Sequence, residues 1–172
     1  MKNYSLVKNY FPLYNKIFFQ KNSVGEFLPC KECSNAPCER IDKVTFLPFE
    51  SRFILKSLNL KKKRYKMCTV MRIETGKNNK CPFSIEKKCT IHTVRPIDCR
   101  TYPLVPLFSN HSFVLMLSPG CPHGNEITQE FYNSSKKVWS EIFPYLSESW
   151  KKKYNKNNAI LSLKKIPAFI HP

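Results

Sequence analysis

Glycine is scarce in this sequence, with four among 172 residues against thirteen prolines. That scarcity argues against a glycine-rich phosphate loop, and neither G-x-x-x-x-G-K nor G-x-G-x-x-G occurs. An all-parallel nucleotide fold is set aside on the same ground. Acidic residues are few as well: 12 Asp and Glu face 29 Lys and Arg, a formal charge of +17. Long apolar runs are missing, the longest being Phe113–Leu117, far short of the roughly 20 residues that cross a bilayer. The opening ten residues carry a charge or an Asn every few positions and lack the apolar stretch of a signal peptide. The expectation is a chain in the reducing cytoplasm with no membrane association.

What the sequence does have is a core's worth of apolar residues, 42% of the total, near the globular norm. Its length fits one domain, or one domain with an appended helical end. Residues 1–28 are aromatic-rich, and Tyr10, Tyr14, Ile17 and Phe18 fit a helix face, interrupted near its start by Pro12, that covers a core. Residues 47–60 read as a short amphipathic helix. Pro48 falls in its first turn, Glu50 complements its N-terminal dipole, and Phe49, Phe53, Ile54 and Leu58 form one stripe. Residues 70–74 read as a strand. A second helix is expected from about Asn125 to Pro144, with Ile127, Phe131, Val138, Trp139 and Ile142 at helical spacing. Residues 145–156 add a turn or two, and residues 157–172 read as a weakly anchored tail. The domain organisation expected is an N-terminal segment (1–28), a cysteine-bearing domain (29–124), a helical segment (125–156) and the tail (157–172).

Eight cysteines occur, all between residues 30 and 121. In a reducing compartment, cysteines at chelating spacing are metal ligands more often than disulfides. Cys30 and Cys33 form a C-x2-C loop, in which a tight turn brings two sulfurs to one side, and Cys38 follows. Pro29 and Pro37 stiffen the flanks. Cys81, Cys89, Cys99 and Cys121 make a second group. Residues 104–108 and 112–118 read as a hairpin whose paired numbers sum to roughly 220, which equals 99 + 121. Neighbouring strands lie about 5 Å apart, so Cys99 and Cys121 are candidates to share one ion. Cys68 sits in an apolar context and reads equally well as a structural thiol. His92 and His123, each within three residues of a cysteine, are weaker candidates.

The stretch Cys81-Pro82-Phe83, followed by Cys89-Thr90-Ile91-His92-Thr93-Val94-Arg95-Pro96-Ile97-Asp98-Cys99-Arg100-Thr101-Tyr102-Pro103, resembles the signature of the YkgJ family. These cysteine-cluster proteins are described as zinc- or iron-chelating and often as containing an iron–sulfur cluster. The family opens with a tight cysteine group, which Cys30, Cys33 and Cys38 match, and carries a later cysteine near Cys121. Two departures stand out. Cys38 is followed by Glu39 rather than by a second cysteine, and His92 replaces a tyrosine. The resemblance implies a small metal-stabilised α+β domain with short strands, irregular loops and flanking helices. Its metal ligands would be Cys30, Cys33, Cys38, Cys81, Cys89, Cys99 and Cys121.

Arg95 and Arg100 acquire a role in that setting. Four thiolates around a divalent ion or a four-iron cluster leave a net negative charge, which a nearby guanidinium offsets while donating hydrogen bonds to sulfur. The spacing leaves zinc and iron–sulfur both open, since gaps of seven and nine residues match neither a zinc ribbon nor a ferredoxin run. The resemblance favours an iron–sulfur cluster of the 4Fe-4S type, with zinc second, in an electron-transfer or sensing role toward a protein or redox partner.

Two other function classes remain at this point. The charge invites a basic module that binds nucleic acid, with residues 61–66 and 151–153 as lysine-rich patches and Tyr65 as a stacking residue. Similar cysteine patterns also occur in flagellin lysine N-methylases, which leaves an enzymatic relative open. The radical-SAM spacing C-x3-C-x2-C is absent.

Overall fold

The computed structural model describes residues 43–47, 50, 72–74, 81, 83–85, 88–92, 95–158 and 163–166. The aromatic segment 1–28, the stripe expected after Glu50, the lysines at 61–66, and Cys30, Cys33, Cys38 and Cys68 lie outside the described residues. In chain order the elements are β1 (Lys43–Thr45), β2 (Arg72–Glu74), β3 (Ser84–Ile85), β4 (Lys88–Cys89), α1 (Ile97–Thr101), β5 (Leu104–Phe108), β6 (Phe113–Leu117), α2 (Gln129–Ile142) and α3 (Glu148–Asn158). Short 3-10 turns at Gly124–Glu126 and Phe143–Tyr145 lead into and out of α2. The architecture is α+β: among the described residues there are three separate two-stranded antiparallel sheets, with helices packed on them.

The hairpin β5–β6 is the framework. Leu104 pairs with Leu117 and Phe108 with Phe113, so paired numbers sum to 221, one more than the sequence reading. Pro106 sits opposite Leu115 in the same phase as Phe108. The Phe108 amide turns outward to Asn155 Oδ1 at 3.0 Å, so a proline in that phase removes no donor from the ladder. Asn155 also donates from Nδ2 to the Phe108 carbonyl at 2.6 Å. One α3 side chain thereby satisfies both backbone groups at that edge of β5.

The core forms where alternating strand residues meet helical stripes. Leu104, Phe108, Leu115 and Leu117 are buried together with Phe131, Val138, Trp139 and Ile142 of α2 and Trp150 and Tyr154 of α3. The Phe108 ring is the hub: ring centroids of Phe113, Trp139, Phe143, Trp150 and Tyr154 lie 5.3–6.2 Å away. Edge-on pairs at such distances add about 0.5–1.5 kcal/mol each beyond area burial.

Helix α2 begins later than the periodicity implied. Thr128 is its N-cap and accepts from the Phe131 amide at 3.1 Å, so the preceding residues fold as a 3-10 turn instead. The turn packs tightly: a Cβ on Gly124 would lie 2.9 Å from Leu117 Cδ2. The expected weak anchoring of the tail is corrected at residues 163–166. Lys164 exchanges two backbone hydrogen bonds with Leu117, at 2.8 and 3.0 Å, and Leu163 and Ile166 pack against the core.

Candidate metal centre

Three pieces of local structure position the four described cysteines. The described residues between Cys81 and Thr90 form a small knuckle: the Ser84 amide donates to the Cys81 carbonyl at 2.9 Å, and the Thr90 amide to the Phe83 carbonyl at 2.8 Å. Within it Cys89 pairs with Ser84, and the Thr90 hydroxyl adds a bond to the Phe83 carbonyl at 3.0 Å. Cys99 rides on α1, and Cys121 closes the turn after β6, its amide 3.4 Å from the Ser118 carbonyl. None of the four forms a disulfide and all are half-buried, and all four pack against the same hydrophobic cluster.

The link drawn from the strand register between Cys99 and Cys121 takes a different form. Pairing continues one step past β6, where the Ser118 amide donates to the Pro103 carbonyl at 2.9 Å. Beyond that the chain at residues 97–101 is helical, so strand-to-strand spacing no longer applies to Cys99. Among the described residues, no three His, Cys, Asp or Glu side chains stand together in a group that could hold a metal ion. The described spacing does not complete a metal site.

Helix α1 is held from three directions. Glu50, fully buried, accepts from the Leu47 amide through Oε2 and from the Ile97 amide through Oε1, both at 2.8 Å. The Glu50 amide in turn donates to the Leu47 carbonyl at 3.1 Å. The Glu50 side chain reaching back to the Leu47 amide is the return arm of a capping box without the hydroxyl partner, and the bond to Ile97 ties it to the start of α1. Burial pushes the Glu50 carboxyl up to about 8; the two amides pull it down, Asp98 pushes it further up and Arg100 pulls it down. From the second side, Trp139 Nε1 donates to Thr101 Oγ1 at 3.0 Å, and that hydroxyl donates to the Ile97 carbonyl at 3.2 Å. From the third, the Tyr154 hydroxyl donates to Asp98. Burial first, then the Asp98 charge, holds the Tyr154 phenol well above its ordinary range.

The arginines sit beside this helix. Arg100 Nε donates to the Arg95 carbonyl at 3.3 Å, and Arg95 Nη1 lies 3.1 Å from His92 Nε2. Arginine has only donors, so His92 Nε2 is the acceptor. That lone pair faces a guanidinium rather than a metal. His123 uses its Nδ1 on Glu126 Oε1 at 2.6 Å. Glu50 is the residue that the sequence reading under-used. Its place at the start of a helix was legible, whereas its second bond spans 47 positions.

No helix among the described residues is long and apolar enough to cross a membrane. No protein-family model, curated protein or solved structure matches the chain.

Proposed function

We propose that this chain is a thiol-rich metal-binding domain whose occupant is an iron–sulfur cluster of the 4Fe-4S type, with zinc as the second choice. The observation that supports the reading is the placement of Cys81, Cys89, Cys99 and Cys121: four half-buried thiols, two from the knuckle, one from α1 and one from the turn after β6, bear on one hydrophobic cluster. Cys30, Cys33 and Cys38, outside the described residues, are the remaining donors of the proposal. Arg95 and Arg100, on and beside the helix that carries Cys99, would offset the charge of bound thiolates. The role is electron transfer or sensing toward a protein partner.

Anaerobic purification followed by iron, acid-labile sulfide and zinc quantification tests this directly. Iron and sulfide in matched amounts, with brown visible absorption, is the expected outcome. Cys89→Ser and Cys99→Ser should each reduce the metal content, while Cys68→Ser should leave it unchanged. Protein that is folded yet holds neither iron nor zinc would sink the reading.

A further inference from the structure

The lysines of α3 divide into two classes that the sequence run Lys151-Lys152-Lys153 hides. Lys151 is buried, with 6% exposure, and its ammonium is 2.7 Å from Glu148 Oε1 and 3.9 Å from the centroid of the Phe143 ring. Its charge is thus spent inside the fold. Lys152, Lys153 and Lys156 are exposed and stand on the solvent side of the helix, within one turn of each other. The sole acid on α3 is Glu148, held below the ordinary carboxylate range by its hydrogen bond to Lys151. Lys152, at i,i+4 from Glu148, also lowers that carboxyl, whereas Lys153 and Lys156 have no acid on the helix at that spacing.

We propose that the outward face of α3, through Lys152, Lys153 and Lys156, is a contact surface for the phosphate backbone of nucleic acid. The chain's formal charge of +17 supplies the long-range attraction, and the trio supplies a local row of point charges on a rigid element. The contact is independent of sequence, because the aromatic residues of α3, Trp150 and Tyr154, are buried and offer no ring for a base to stack on. A lipid surface fits less well. A helix that lies on a membrane turns its apolar face to the lipid, and the apolar face of α3 is committed to Phe108.

The test is fluorescence anisotropy of the full chain with a labelled mixed-sequence DNA duplex across a salt series. The Lys152→Ser/Lys153→Ser/Lys156→Ser triple variant is compared with Lys136→Ser/Lys137→Ser, which removes two exposed charges from α2. Each phosphate contact contributes about 0.9 to the slope of log affinity against log salt. The triple variant should flatten that slope by roughly 2.7, and the α2 variant should leave it nearly unchanged. Three results overturn the proposal: no binding even near about 50 mM salt, equal losses per charge from both variants, or tighter binding to phosphatidylserine vesicles than to DNA with the same loss in the triple variant. Circular dichroism melts of both variants, matching the parent, exclude misfolding as the cause.

Discussion

Around Phe108, five aromatic rings from β6, α2, α3 and the turn between those helices meet one side chain. Around Cys99, a helix of five residues is positioned by a buried carboxylate, a threonine hydroxyl and a tyrosine hydroxyl. The knuckle that carries Cys81 and Cys89 is built on strands of two residues each. Large side chains at helical spacing hold the first region through area and packing. The second also buries Phe46, Leu47, Phe83, Ile91 and Ile97, but its elements are too short to present a helical stripe, and directional polar ties fix α1 in place. A region of this second kind is specified by a handful of bonds and is sensitive to each.

The largest effect should come from the aromatic hub. Phe108→Ala removes the ring that the others surround and should cost about 3–5 kcal/mol. Against a typical domain stability of about 5–15 kcal/mol, a urea titration should show much of the cooperative transition lost. A loss confined to fractions of a kcal/mol would break the contrast between the two regions.

Tyr154→Phe probes the tie between them, since Tyr154 packs beside Phe108 and its hydroxyl bonds to Asp98. Losing a bond to a charged group should cost about 1.5–3 kcal/mol. The ring packing should survive, so the near-ultraviolet signal of the tryptophans should persist.

Glu50→Gln sharpens the comparison from the other side. Compared with the carboxylate that prevails above about pH 8, an amide turns a donor toward one of two backbone N–H groups, and a buried unsatisfied donor costs about 1–3 kcal/mol. Hydrogen exchange should accelerate at residues 97–101 while α2 and α3 stay protected. The pH dependence has a definite sign. The folded state raises Glu50 from 4.5 to about 8, so it binds the proton more tightly than the unfolded chain does. This group's contribution is greatest below about 4.5 and falls away as pH rises through 8. Glu50→Gln should flatten that part of the stability profile; an unchanged profile would show that Glu50 is not the group responsible.

The smallest effect belongs to the cap. Thr128→Ala should cost about 1 kcal/mol, read as faster exchange in the first turn of α2 and no change near the cysteines.

Much of the first region was legible because its signals are local. The β5–β6 hairpin follows from two extended runs around a Ser-Asn-His turn, and its register came within one residue. The α2 stripe follows from spacing, and Pro144 falls just past its end. Helix α3 runs 11 residues, Glu148–Asn158, where the sequence implies a turn or two. Its sequence is so polar that only Trp150 and Tyr154 mark the packed side, and neither shows its partner in advance. Lys151 looked like its neighbours for the same reason.

The sequence by itself determined the cysteine spacing, the basic charge, the hairpin and the α2 stripe, because each depends on residues close together in the chain. Tertiary structure alone decided that Glu50 caps a helix 47 positions away, that Cys99 lies on a helix rather than opposite Cys121 on a strand, and which lysines of α3 face water. Those outcomes depend on burial, and burial is a property of what packs against a residue.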